Sequence, residues 1–388
     1  MASAGSSVLG VYNPIFYAQE ALIHLESALG MASRVHRGFD AERRSYGKGD
    51  TINIRRPQTF TAQSAPVSSP DGLETDTVAV TLDQWKEVKF ALTDKELAYT
   101  GNRIIEDHIR PASYALADNI DQALCANVNS TVGNSASTFS ASDSASTTIT
   151  KMRRKLFDAK APMDDLHMQI DGEMEETFLK DSAFSQYQGA GDAGVNTQLR
   201  GTLGTKFGME IFANQNADTM DKTAGTLADL AGAVDGTFAK GATAVTVDGL
   251  TNGETIKIGD SFTIAGDSTV YCVTADVTVG SGEASLSCSP PLQVAPSDGA
   301  VVTLVNVGAS TSMGVAFHRN AFCIAMATLP EMGNELGAKV ATVADPKTGL
   351  ALRSRVYYKG DSSQVHVALD VLYGIKTLDP MLAVKMTS

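Results

Sequence analysis

The sequence predicts an α+β protein carrying an inserted all-β domain, and three observations predict it. Apolar residues recur at every second position through 50–92, as Ile52 and Ile54, then Val78, Val80 and Leu82, then Val88, Phe90 and Leu92, which is the period of a half-buried strand. Further on, Ala112, Leu116, Ile120, Leu124 and Val128 stand four apart, as on one face of a long α-helix. Residues 236–306 have no helical period: "TAVTVDGL", "ETIKIGDSFTIAG", "TVYCVTADVTV" and "AVVTLV" are short alternating runs broken by Gly, Asp and Pro. That texture reads as a small barrel or sandwich inserted in an α+β host.

The elements follow in order. In "NPIFYAQEALIHLESALG" (13–30), Asn13 is placed to cap a helix and Pro14 to open it, with Ile15, Leu22, Leu25 and Leu29 on the apolar face. The alternating runs of 50–92 are joined by "RRPQTFTAQSAPVSSPDGLETD" (55–76), and together they predict a long extended hairpin reaching away from the body. An isolated hairpin is marginal in water, so this one is expected to order against a neighbour. "TDKE" (93–96) is a capping box that opens a helical region. Pro111 kinks or restarts that region, and it ends near residue 129. "STVGNSASTFSASDSAS" (130–146) is expected as a mobile loop. Asp171 caps a short helix whose first turn carries Glu173, Glu175 and Glu176. Residues 350–376 read as two strands around the turn "YKGDSS", with Val365, Val367, Leu369 and Val371 alternating.

Composition narrows the function. The chain has 388 residues, 43% hydrophobic and 19% charged, with a net charge of −13. It is globular and poorly suited to gripping a polyanion, although it can wall one in without sticking to it. "MASAGSSVLG" at the start has no signal-peptide pattern, and no apolar run is long enough to span a membrane. Cys125, Cys272, Cys288 and Cys323 are widely spaced and form no CxxC pair. They read as buried, reduced thiols, with a Cys272–Cys288 disulfide as the minor alternative.

The chemical motifs are weak. "GAGDAG" (189–194) has dinucleotide-loop spacing, but neither the strand nor the helix that this mechanism needs flanks it. "DDLHMQIDGEMEE" gathers Asp164, Asp165, His167, Asp171, Glu173, Glu175 and Glu176 without any metal-site spacing, and reads as a solvated helix start. "KMRRK" (151–155), next to Leu156 and Phe157, reads as the wet face of a helix. "GVAFHRNAFCIAMATLP" (314–330) places His318 and Cys323 in an apolar run. A catalytic thiol needs a base within reach and a partly exposed, electropositive setting. An odd separation sends the two to opposite faces of a strand, so Cys323 reads as a core cysteine.

What fails as chemistry succeeds as a signature. "AFHRNAFCIAMATLP", "LRSRVYYKGDSSQVHVALDVLYGIKTLDPMLAVKM" (352–386) and "GTLGTKFGMEIFANQN" (201–216) together resemble the major capsid proteins of tailed bacteriophages, with the closest likeness to coat proteins of the short-tailed Salmonella-phage type. The order of segments agrees over nearly the whole chain. The resemblance implies the Hong Kong ninety-seven type capsid fold, with an extended loop, a long spine helix and an inserted β-barrel. It divides the chain into an N-terminal arm (1–38), extended loop (39–92), spine helix (93–130), apical domain (131–235 and 307–349), inserted barrel (236–306) and C-terminal peripheral strands (350–388). It further implies assembly with itself into hexamers and pentamers of a virion shell, starting in the host cytoplasm. The implied partners are a scaffolding protein, a portal protein and packaged double-stranded DNA as a non-specific interior neighbour; no membrane, cofactor, metal or catalytic residue is implied. No pro-segment is evident, so a separate scaffolding protein is expected, and nothing marks a Lys–Asn pair for a crosslink. Arg55, Arg56 and Trp85, in the extended region, are the candidate subunit contacts. The alternatives are an encapsulin-like nanocompartment shell, against which the inserted β-domain argues, a cytoplasmic enzyme using His318 and Cys323, and a tail or decoration protein, which would not explain the long helix.

Overall fold

A computed structural model describes residues 14–37, 51–56, 76–93, 108–139, 143–186, 197–220, 231–304, 313–331, 338–345 and 349–387. The chain divides into two compact units, one of Met1–Leu29, Arg37–Ile120 and Cys323–Leu378, the other of Gly30–His36, Asp121–Phe322 and Asp379–Ser388.

The first unit is built on β20 (Gln364–Thr377). β19 (Ala351–Lys359) pairs with it antiparallel, and β18 (Lys339–Ala344) lies beyond β19. β17 (Phe322–Ala327) and β3 (Gln84–Thr93) also pair with β20. The register sets Val88, Phe90 and Leu92 opposite Leu369, Val367 and Val365, so the period-two pattern of both strands meets on one apolar face. The expectation that residues up to 92 lie in an extended loop is therefore corrected, because β3 is ten residues of the body sheet. β1 (Thr51–Arg56) and β2 (Asp76–Thr81) do form an antiparallel ribbon. Its buried residues Ile52, Ile54 and Val80, with Leu82, pack on Cys323, Ala325 and Ala327 of β17. In its described part the ribbon lies on its own body and does not reach away from it. Gly374 in β20 makes this closeness possible, since a Cβ there would stand 2.2 Å from the Thr81 carbonyl oxygen.

α1 (Pro14–Ala28) lies on β18 and β19. It buries Tyr17, Ala18, Ala21, Leu22 and Leu25. Ile15, expected on that face, is 52% exposed; the proposed cap at Asn13 lies outside the described residues. α2 (Arg110–Thr131) continues from a π-helical turn at 108–109 and carries Pro111 at its second position, where the sequence expects a kink or restart. Leu116, Ile120, Leu124 and Val128 are all buried at the spacing the sequence shows, and Ala112 with them. Of the capping box, 94–96 lies outside the described residues.

The second unit holds a six-stranded mixed sheet in the order β4 (Ser135–Thr138), β21 (Ala383–Thr387), β16 (Met313–His318), β5 (Leu166–Ile170), β7 (Met209–Ala213), β6 (Thr205–Lys206). α3 (Ala145–Asp158) and α4 (Gly172–Lys180) cover it with Ile149, Met152, Leu156, Met174 and Phe178. Ser144 caps α3, accepting from the Thr147 N–H at 3.2 Å, and Asp171 caps α4, accepting from Met174 N at 3.0 Å. The expected loop over 130–146 is corrected: Ala136 and Phe139 join this core, so the tract makes β4 and then the α3 cap.

A closed barrel completes the unit, in the order β11 (Ser261–Ile264), β12 (Tyr271–Val273), β14 (Ala284–Ser289), β9 (Ala244–Asp248), β8 (Ala231–Val234), β15 (Val301–Leu304). A short pair, β10 (Thr255–Ile256) and β13 (Val277–Thr278), stands beside it. Phe262, Tyr271, Leu286, Val245, Val247 and Val302 fill the interior. The barrel takes in Ala231–Val234, ahead of the boundary expected at 236. Cys272 and Cys288 are buried thiols with no disulfide between them. The barrel is pinned to the end of α2: a Cβ on Gly133 would stand 2.6 Å from the Val270 oxygen, and one on Gly259 2.5 Å from Asn129 Oδ1. Lys385, fully buried, donates to the carbonyls of Gly259 (2.7 Å) and Asn129 (3.5 Å). A cation among the last carbonyls of a helix is favoured by the helix dipole. No described helix is long and apolar enough to cross a membrane.

Candidate assembly surfaces

The polar face of the first unit's sheet carries an ordered ladder across three strands. The register aligns Arg353 on β19 with Asp370 on β20 and Glu87 on β3. Asp370 is fully buried. It accepts from Arg353 Nε at 3.0 Å and from Arg353 Nη2 on the other oxygen, a two-point clamp of the kind that fixes geometry as well as charge. Arg355 Nη2 lies 3.4 Å from Asp370 and 2.8 Å from Glu87. Further along the same face, Lys89 sits over the Tyr357 ring at 5.1 Å, and Tyr357 stacks on His366. Trp85 roofs the buried carboxylate: its Nε1–H donates to Asp370 Oδ2 at 3.2 Å, while the residue stays 57% exposed. A large aromatic held in place by a hydrogen bond, half of it in water, is the kind of side chain that anchors interfaces.

The sequence also marked Arg55 and Arg56. They end β1, paired in register with Thr77 and Asp76. His318 and Cys323 are separated by fold. His318 ends β16, a 3₁₀ turn (Arg319–Ala321) intervenes, and Cys323 lies in β17 of the other compact unit. His318 Nδ1 accepts from Asn320 N at 3.2 Å, and Cys323 is buried in the apolar cluster under the ribbon. They are not on opposite faces of one strand but in two different sheets. "GAGDAG" lies outside the described residues. On α3, Lys151 pairs with Asp143 (2.9 Å) and Arg154 with Asp158 (3.7 Å). Leu156 faces the core, but Phe157 is 67% exposed.

The acidic segment before α4 joins a charge network instead of a metal-like cluster. His167 Nδ1 is 3.1 Å from Glu210 Oε2 and its Nε2 is 3.4 Å from Asp165. Glu210 is clamped by Arg34 at 2.7 Å, and Arg34 lies over the Phe212 ring. Burial holds His167 below its ordinary value, against the pull of Glu210 and Asp165. The hydrogen bond from Arg34 holds Glu210 low. Cys288, the barrel thiol, is pushed up to about 11 by burial, which keeps it protonated and unreactive.

Sequence reasoning missed three features. Asp370 and its arginines are 15 to 17 residues apart in a run read only as strands, and only the strand register joins them. The outer face of α1 exposes Phe16 and Ile23 as well as Ile15. Phe207, at the tip of the β6–β7 hairpin, is 48% exposed with φ 51°; the dipeptide Phe-Gly between two short alternating runs was its signal.

No protein-family model and no curated protein matches the sequence. Solved structures do. One from Mycobacterium phage Che8 matches over 92% of this chain and 90% of its own, at 15% identity and a TM-score of 0.50. The mature capsid of bacteriophage PhiM1 matches over 100% and 90%, at 11% identity and a TM-score of 0.45. A virus-like particle from Pyrococcus furiosus matches over 97% and 100%, at 10% identity and 0.45. The first likeness carries the architecture: the chain has an α+β fold of the Hong Kong ninety-seven capsid type.

Proposed function

We propose that this chain is the major capsid protein of a tailed bacteriophage, assembling through hexamers and pentamers into the icosahedral shell around the genome. The observation that carries this reading is the fold likeness over 92% of the chain to a phage structure. The surfaces suit it: an aromatic residue, Trp85, stands exposed over a rigid ionic ladder, and the net charge of −13 lets packaged DNA lie against the shell without adhering. The reading places the protein in the virion, and in the host cytoplasm during assembly. Its partners are other copies, a separate scaffolding protein and a portal. The role is structural, that of a shell subunit. Within the fold, we assign the short-tailed Salmonella-phage type on the barrel at Ala231–Leu304 and on the sequence likeness of 316–330 and 352–386. Sedimentation of the purified chain across concentration, with and without the scaffold-like product of a neighbouring gene, tests the reading. Cooperative appearance of large closed particles is expected; a chain that stays a compact monomer throughout, scaffold included, would refute it.

A further inference from the structure

We propose that Phe157, Phe207 and the basic flank of α3 form a docking patch for the acidic barrel of a second copy of this chain. The proposal rests on the shell-forming reading and names one contact within it.

The patch is built around one arginine. Arg153 Nη1 donates to the Phe207 carbonyl at 2.6 Å, fastening the tip of the β6–β7 hairpin to α3. Phe157 follows Arg153 by one helical turn, so both stand on the same side of α3. Phe157 and Phe207 are 67% and 48% exposed and serve no core. Among the described residues, Lys155 and Lys160 beside them face no carboxylate, and 151–160 holds five basic residues against one acidic.

Phe207 is also held in a conformation that suits it poorly. Phe207 and Gly208 are the whole connection between Lys206 and Met209, with φ 51° and 75°. A two-residue hairpin with both values positive takes Asn-Gly or Asp-Gly at least cost, and a bulky residue there is an outlier. Strain of this kind persists where a side chain is needed for something else. Here the exposed ring is what the strain retains.

Charge selects the occupant. Residues 231–304 carry eight Asp and Glu against two Lys, a balance of −6 within a chain of −13. At one corner of the barrel Asp298 accepts from the Gly236 N–H at 2.9 Å, next to exposed Asp235, and Val301 stands 50% exposed opposite Ala233. An acidic, aliphatic corner complements an aromatic, basic patch. Both lie on the same compact unit, so the contact is head-to-tail and propagates into rings or lattices.

Three variants of the full chain test this. Phe207→Asn places the residue the turn prefers, so the melting temperature of the subunit should stay level or rise while the critical concentration for assembly rises at least tenfold. Lys155→Glu/Lys160→Glu and Asp235→Lys/Asp298→Lys should each fail to assemble alone at concentrations where wild type does. An equimolar mixture of the two should assemble, because each patch then meets a barrel of opposite charge. Wild-type shells together with an unimpaired Phe207→Asn, or a mixture that stays unassembled, overturn the contact alone. A wild-type chain that never polymerises overturns the shell reading and this contact with it.

Discussion

Asp370→Asn is the sharpest single change to the sheet. The amide keeps the shape of the carboxylate but cannot neutralise Arg353, which is only 8% exposed and bonded through both Nε and Nη2 to a residue with no exposure. Removing one partner of a buried pair costs about 3–5 kcal/mol, most of it the penalty of leaving the other charge stranded. Arg353 keeps its bond to the Pro330 carbonyl (2.9 Å), and Arg355 keeps Glu87 (2.8 Å). Those remaining partners place the loss at the low end, about 3 kcal/mol, or roughly a hundredfold in the unfolding equilibrium. Replacing both partners by apolar residues, Arg353→Met with Asp370→Leu, should recover most of it, to within about 1 kcal/mol of wild type. Urea unfolding of the unassembled subunit can be followed by tryptophan fluorescence. Trp85 is the sole tryptophan and its indole N–H sits on Asp370, so the signal reports this sheet. If Asp370→Asn stays within about 0.5 kcal/mol of wild type, or the double replacement is as damaging as the single one, the reasoning about the buried pair is wrong.

Cys323→Ala should leave assembly intact and cost about 1–2 kcal/mol of subunit stability, the scale of a small core cavity; loss of a hydrolase activity with folding unchanged would overturn its core role. Trp85, 57% exposed in the subunit, should shift its emission to the blue on assembly, and Arg55→Glu with Arg56→Glu should weaken association while leaving the subunit melting temperature in place; equal damage to that temperature would contradict this. Acid should destabilise the second unit in two stages. His36 and His167 titrate below their ordinary 6.5, chiefly through burial, so their neutral forms belong to the fold and their contribution is complete above pH 6.5 and declines below it. Glu210 titrates below 4.5 because of Arg34, so its contribution holds above pH 4.5 and is lost as pH falls through its lower folded value. His167→Gln should flatten the upper stage; a wild-type profile level from pH 7 to 5 would count against it.

What the sequence made legible was whatever depends on neighbours in the chain. The i+4 spacing from Ala112 to Val128, the cap at Asp171 and the alternation around Ile52 and Val80 are local, and each appears where its pattern stands. Pairing between distant segments was not legible. β3 reads alike whether it belongs to a projecting loop or to the body, and only its register with β20 decides. The first barrel strand, "AGAV", was lost for a different reason. Gly232 carries no apolar signal because it cannot: a Cβ there would stand 2.5 Å from Val247 Cγ1. The candidate site followed the same division. Trp85 was visible as a lone aromatic, whereas Asp370 beneath it and the φ of Phe207 exist only in three dimensions.

Electron cryomicroscopy of particles assembled from the purified chain and the scaffold-like product of a neighbouring gene tests the central claim most directly. Closed icosahedral shells of hexamers and pentamers are expected, each subunit showing the fold described above with its barrel at Ala231–Leu304. Monomers, or open aggregates without a repeating lattice, at every concentration and salt would contradict it.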